Sequence, residues 1–85
     1  MSAKVQRQRF TEVDAQTKVG KQIRSLIPFS AVPQGTTGTV ISADELAGGY
    51  DVVIEWDLPK HPYGKPLRDW FTKDEYERFL EEIYD

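Results

Sequence analysis

Cysteine is absent from the 85 residues. Its absence removes disulfides, thiolate zinc sites and cysteine nucleophiles. It also leaves a small chain to rely on its core alone. Histidine occurs once, at His61. A zinc-type centre commonly needs three or four suitable ligands, and here only carboxylates can join that imidazole, so no metal site and no cofactor are expected. The same shortage removes Ser-His-Asp and Cys-His constellations unless His61 serves alone. No motif pairs a nucleophile with a base, so a non-catalytic protein is expected. Long apolar runs are missing as well, and nothing approaches the roughly 20 residues of a membrane span. The opening MSAKVQRQRF lacks the apolar stretch of a secretory signal. A cytoplasmic protein with no membrane partner is the expectation.

The remaining composition, 39% hydrophobic and 29% charged, is that of one folded domain rather than a disordered chain. Charge is unevenly spread. Residues 1–24 carry six basic and two acidic side chains, a balance of +4. Residues 25–85 carry five basic and twelve acidic ones, a balance of −7. An acidic body repels phosphate backbones. The polar segment 1–17 has no clear period and reads as a flexible N-terminal arm that orders, if anywhere, near Phe10. Residues 18–85 read as the folded domain.

Four strands are expected. Lys21 to Ile27 alternates, with Ile23, Ser25 and Ile27 on one face. Pro28 and Pro33 bracket a loop, since neither can donate to a ladder. Thr36 to Ala43 is rich in threonine and β-branched residues, with Gly38 at a point where a Cβ is not expected to fit. Asp44 to Gly49 is expected as a connection ending in two glycines. Tyr50 to Trp56 has the clearest period of two, with Tyr50, Val52, Ile54 and Trp56 on the buried face. Asp51, Glu55 and Asp57 then fall on a solvated face. Leu67 to Phe71 is the fourth strand. A fifth is expected from residues 8–14 or from the Pro28–Pro33 region.

After Phe71 the period changes to 3.6. Thr72-Lys73-Asp74-Glu75 has the spacing of a capping box. Tyr76, Phe79, Leu80 and Ile83 form one helical stripe. The spacing predicts a helix over about 73–84, with Glu81 and Glu82 unfavourable at its carboxyl end. So short a helix is marginal alone, so its stripe must dock on the strands rather than on a second copy. A monomer is expected.

The run from Val19 to Trp56 resembles SH3-like and KOW-like small barrels. Val19-Gly20 precedes a basic-apolar strand. Gly35-Thr36-Thr37-Gly38-Thr39-Val40 supplies two glycines for a turn and a sharp bend, then an inward valine. The alternating strand ends in Trp56-Asp57. The combination of GTTGTV, YDVVIEWD and PLRDWFTKDEYERFL also resembles a small bacterial family of SH3-like barrels. The resemblance implies a mainly β fold: a small SH3-like barrel of four to five short antiparallel strands with one C-terminal helix packed on it. Within the wider group, small SH3-like subunits of photosynthetic electron-transfer complexes serve as docking pieces, and KOW modules bind RNA or polymerase. The chain lacks the strongly basic body of a ribosomal KOW protein. It also lacks the acidic-aromatic run of peptide-binding SH3 domains, so proline-rich ligands are not implied.

The strand period assigns Trp56 to the core, and Trp70 is expected to bridge strand and helix. The scattered carboxylates lack the spacing of a calcium loop. Gly35-Thr36-Thr37-Gly38 lacks the lysine of a phosphate loop and does not open a helix. The long connection from Asp57 to Pro66 holds three prolines and presents Lys60, His61, Tyr63 and Lys65. A stiff frame lowers the entropy lost on binding, so these four are the candidate partner-binding residues. The expected function is docking on a larger protein or complex. The alternative is a KOW-like contact with RNA, ribosome or polymerase through Lys18, Lys21 and Arg24.

Overall fold

The computed structural model describes residues 9–58 and 66–83. Its elements run α1 (Glu12–Lys18), β1 (Gln22–Ser25), β2 (Thr37–Leu46), β3 (Gly49–Trp56), β4 (Arg68–Phe71), α2 (Lys73–Phe79) and β5 (Leu80–Glu82). One antiparallel sheet takes the order β4-β3-β2-β1-β5. The mainly β class and the antiparallel strands match the sequence at that level. Among the described residues β4 and β5 are the two edges and do not pair with each other, so the sheet is open.

β2 and β3 form the longest ladder, from Gly38↔Trp56 to Leu46↔Gly49, with a register shift between Val40 and Ser42. Such a bulge bends the strand and increases its twist. β2 also runs through residues expected as a connection. The hairpin therefore closes on Ala47 and Gly48 alone, and Gly48 takes a φ of 86° that favours glycine. Gly38 is required by close approach: a Cβ there would lie 2.9 Å from the Glu55 carbonyl oxygen and 3.1 Å from the Trp56 ring.

The inward residues of the strands meet in one cluster. It includes Ile23, Val40, Val52, Ile54, Trp56, Phe71, Tyr76 and Leu80. Phe29 reaches in from the β1–β2 loop and packs its ring against Trp56, Phe71 and Phe79, with the Phe71 centroid 5.3 Å away. Ser25 holds the base of that loop. Its hydroxyl donates to the Pro33 carbonyl at 3.0 Å and accepts from the Thr36 amide at 3.1 Å, which satisfies a buried polar group. Ile27, expected to face inward beside Ile23 and Ser25, lies beyond the end of β1 and is exposed.

Two longer segments also differ from the sequence expectation. The helix predicted over 73–84 stops at Phe79. Its N-terminus is the expected capping box, with Thr72 accepting from the Glu75 amide and Glu75 accepting from the Thr72 amide. Leu80 then turns extended (φ −124°, ψ 151°), and Leu80 to Glu82 pair with Ser25 to Ile23. Continuing the helix would place two glutamates at the negative end of its dipole. Leaving it instead satisfies the open edge of β1 and buries Leu80. The fifth strand is therefore residues 80–82. The two expected sources each give only a single bridge, Phe10↔Tyr50 and Phe29↔Val32.

The segment read as a flexible arm is, from Arg9 onward, part of the fold. Thr11 caps α1 by accepting from the Asp14 amide, and Ala15 is fully buried. The Phe10 carbonyl accepts from the Tyr50 amide at 3.0 Å. Its ring is 1% exposed and meets Tyr76 edge-on at 5.7 Å. The Thr11-Glu12-Val13-Asp14 cap signature was present in the sequence; a helix of seven residues is too short for its period to register.

Two stability outcomes follow from these contacts. Phe10→Ala should lower unfolding free energy by about 3–5 kcal/mol, because a large ring leaves a filled core. Thr72→Ala should cost about 1 kcal/mol through loss of the cap. Urea unfolding followed by circular dichroism measures both, and a Phe10→Ala loss as small as that of Thr72→Ala would contradict the placement of Phe10 in the core.

Candidate interaction surface

Register places Asp44, Ser42 and Thr39 of β2 beside Asp51, Val53 and Glu55 of β3. Val53 and Glu55 lie beside Trp70 and Arg68 of β4. These residues share the outer face of the sheet, because Val40, Val52, Ile54 and Phe71 occupy the other. Trp70, expected to bridge strand and helix, does not enter the core. It is 52% exposed, since its neighbour Phe71 takes the inward position opposite Val52. In an Arg-Asp-Trp-Phe strand only one of two adjacent aromatic residues can face inward.

Trp70 is nonetheless held in one orientation. Its Nε1 donates to Asp44 Oδ2 at 2.8 Å. It sits opposite Val53, which is an outward residue yet only 3% exposed. Arg68 pairs with Glu55 at 3.1 Å on the same face. An exposed indole above buried aliphatic surface, framed by polar groups, has the make-up of an interaction hot spot. Leu46 lies further along this face and is also exposed.

Next to Val53 along this face, Asp51 departs from the solvated position its alternation suggests. It is buried and accepts from Arg9 Nη2 at 3.1 Å. The Arg9 side chain crosses the sheet over Gly49, where a Cβ would lie 2.6 Å from the Arg9 Cβ. The pair is incompletely satisfied, since Arg9 Nε is buried without a hydrogen-bond partner. Burial pushes the Asp51 carboxyl above its ordinary value, Arg9 opposes this, and Glu75 and Asp44 add to it. Asp57 remains exposed and accepts from the Thr37 hydroxyl at 2.8 Å. Nothing local in the sequence could link Arg9 to Asp51, which are 42 residues apart.

Lys60, His61, Tyr63 and Lys65 lie outside the described residues. The connection that holds them joins β3 to β4, the two strands that present Val53 and Trp70. It is drawn together at its base, where the Trp56 amide donates to the Leu67 carbonyl at 3.0 Å. Of Lys18, Lys21 and Arg24, the first and last stand beside carboxylates. Lys18 pairs with Glu82 at 3.2 Å and lies over the Tyr76 ring. Arg24 stands opposite Glu81 in the β1–β5 register. Carboxylates of the terminal strand thus interrupt the basic row, which weighs against a phosphate-binding face. An open groove of about 330 Å³ is lined by Lys18, Tyr76, Glu77, Leu80 and Glu82. Its polar centre is the same cluster, in which the Tyr76 hydroxyl also donates to Glu82 at 2.8 Å.

Among the described residues no three carboxylate or imidazole groups converge as metal ligands, and no helix is long and apolar enough to cross a membrane. Comparisons with family models, with curated proteins and with solved structures found no match for the chain.

The state of Asp51 sets a pH dependence. The folded chain holds its proton more tightly than the unfolded chain does. Stability from this group is therefore fully present below the ordinary aspartate range and is lost as pH rises through the higher folded value. Relative to Asp51→Asn, the natural chain should gain stability as pH falls from about 7 to about 3.5. Urea unfolding of both chains at each pH measures the stability of the natural chain minus that of the variant; a difference that stays constant or moves against the natural chain as pH falls would contradict the desolvation of Asp51.

Proposed function

We propose that the chain is a non-catalytic docking module, a small SH3-like barrel with α2 packed on it, that binds a larger protein through the outer face of β2, β3 and β4. The observation that carries this reading is Trp70, half exposed and fixed by Asp44 above the buried Val53. An isolated surface tryptophan needs no anchoring bond. One held in place loses less side-chain entropy on binding, and tryptophan is enriched among the residues that dominate interfaces.

The barrel reading is supported by the strand order and by the form of β2. That strand is ten residues long, is bulged after Val40, and serves β1 with its first part and β3 along most of its length. A long bent strand shared between two halves is how small barrels turn their corners. Lys60, His61, Tyr63 and Lys65 remain in the proposal as further contributors to partner capture, because their connection joins the two strands beneath Trp70.

A tagged chain and its Trp70→Thr variant test the reading, threonine keeping strand propensity at the site. In a pull-down from the source cells with nuclease present, the natural chain should retain a defined protein that the variant loses. Urea unfolding should show the variant within about 1 kcal/mol of the natural chain. Equal capture by the two, or capture that nuclease removes, would refute it.

A further inference from the structure

The outer face also indicates what kind of group rests on Trp70. The indole N–H is directed to Asp44, so the edge of the ring is fixed and the ring itself stays half in water. Among the described residues Asp44 has no cationic partner. Asp44 stands opposite Asp51 in the β2–β3 register, and Asp44 and Glu75 both disfavour ionisation of Asp51, so these carboxylates lie within electrostatic reach of Asp51. Among the described residues the Arg9 guanidinium opposes this at Asp51, and it is already engaged by that carboxylate. Arg68 is engaged by Glu55. Among the described residues, carboxylates therefore outnumber cations at this end of the face, next to an open π surface.

Those two features attract the same ligand. The face of an indole is negative and draws cations. A carboxylate at the ring's edge adds a second attraction of the same sign. An anionic ligand is repelled by both, and a neutral apolar one gains nothing from Asp44. We propose that the Trp70 face takes an arginine or lysine side chain, presented by a segment of a partner protein and laid on the indole beside Asp44. The inference rests on the docking reading above and names its partner chemistry. Among the described residues β4 is an edge strand of the sheet, so an extended segment can approach Trp70 without displacing a neighbouring strand.

Nuclear magnetic resonance of the full chain tests this, with the Trp70 indole signal assigned by its disappearance in Trp70→Phe. The probe is a capped nonapeptide of alternating glycine and arginine, and its control carries citrulline, which is neutral and of the same shape. The arginine peptide should shift the Trp70 signal in a saturable way, and the citrulline peptide should not. Asp44→Asn keeps an acceptor for the indole but removes the charge, and should weaken arginine-peptide binding about threefold or more. Raised salt should weaken it too.

Equal shifts by the two peptides, or equal affinity in Asp44→Asn, would overturn the cationic assignment. A Trp70 signal that moves with the protein's own concentration would also overturn it, by giving the face to a second copy of the chain. If Trp70→Thr loses a captured protein while neither peptide moves the signal, the docking reading stands and this inference falls. If the arginine peptide binds through Trp70 and Asp44 while lysate capture is unchanged by Trp70→Thr, the inference stands and the docking reading falls.

Discussion

In β3, the stretch Asp51 to Ile54 is withdrawn from water on both sides of the sheet. A five-stranded sheet of this size can cover one of its faces with its own helix, but two covered faces need contributions from other parts of the chain. On the inner side Val52 and Ile54 are covered by Phe71, Tyr76 and the Phe10 ring, which draws in the N-terminal segment. On the outer side Val53 lies opposite Trp70, and Asp51 is held by Arg9. The segment 9–18, α2, and the exposed tryptophan all take their places from this demand. The hydrophobic term rewards each cover at about 25 cal/mol per Å² of apolar surface removed from water.

The same arrangement separates structural and surface roles within single strands. Phe71 and Trp70 are adjacent in β4, yet one completes the aromatic cluster around Phe29 and the other faces solvent. Trp56 resolves its polar atom by donating to Asp69 at 2.8 Å, which lets a large ring be buried without an orphaned N–H. Trp70 resolves its own by donating to Asp44 on the surface. Both indoles are satisfied. Only one is buried, and that difference makes the second available to a partner.

What could be read from the sequence was what depends on neighbours along the chain. The Thr72–Glu75 capping box, the close approach at Gly38 and the inward set Val52, Ile54 and Trp56 each rest on spacing within a few residues. The misplaced residues depended on distant ones. Leu80 and Ile83 continue a helical stripe as well as they fit an extended segment, and only the unpaired edge of β1 decides between the two. Arg-Asp-Trp-Phe carries two aromatic residues in succession, so its inward face is set by the partner strand rather than by its own alternation. Asp51 reads as solvated until Arg9 and Phe10 are seen to cross its end of the sheet. The sequence points to the β3–β4 connection, whose Lys60, His61, Tyr63 and Lys65 lie outside the described residues, while the exposed Trp70 comes to notice only through its register with Val53.

The pairing of β5 with β1 divides the sheet by sequence distance. β2, β3 and β4 form a meander in which each strand meets the next, whereas Ile23 and Glu82 come together only after most of the chain has been laid down. Loop-closure entropy makes the meander the economical place for folding to begin, and sets the β1–β5 ladder among the last contacts to form. Until then Leu80 and the edge of β1 that faces away from β2 stay open to water. During that interval the protein's own terminal strand competes with any extended segment of another molecule for the same row of backbone groups.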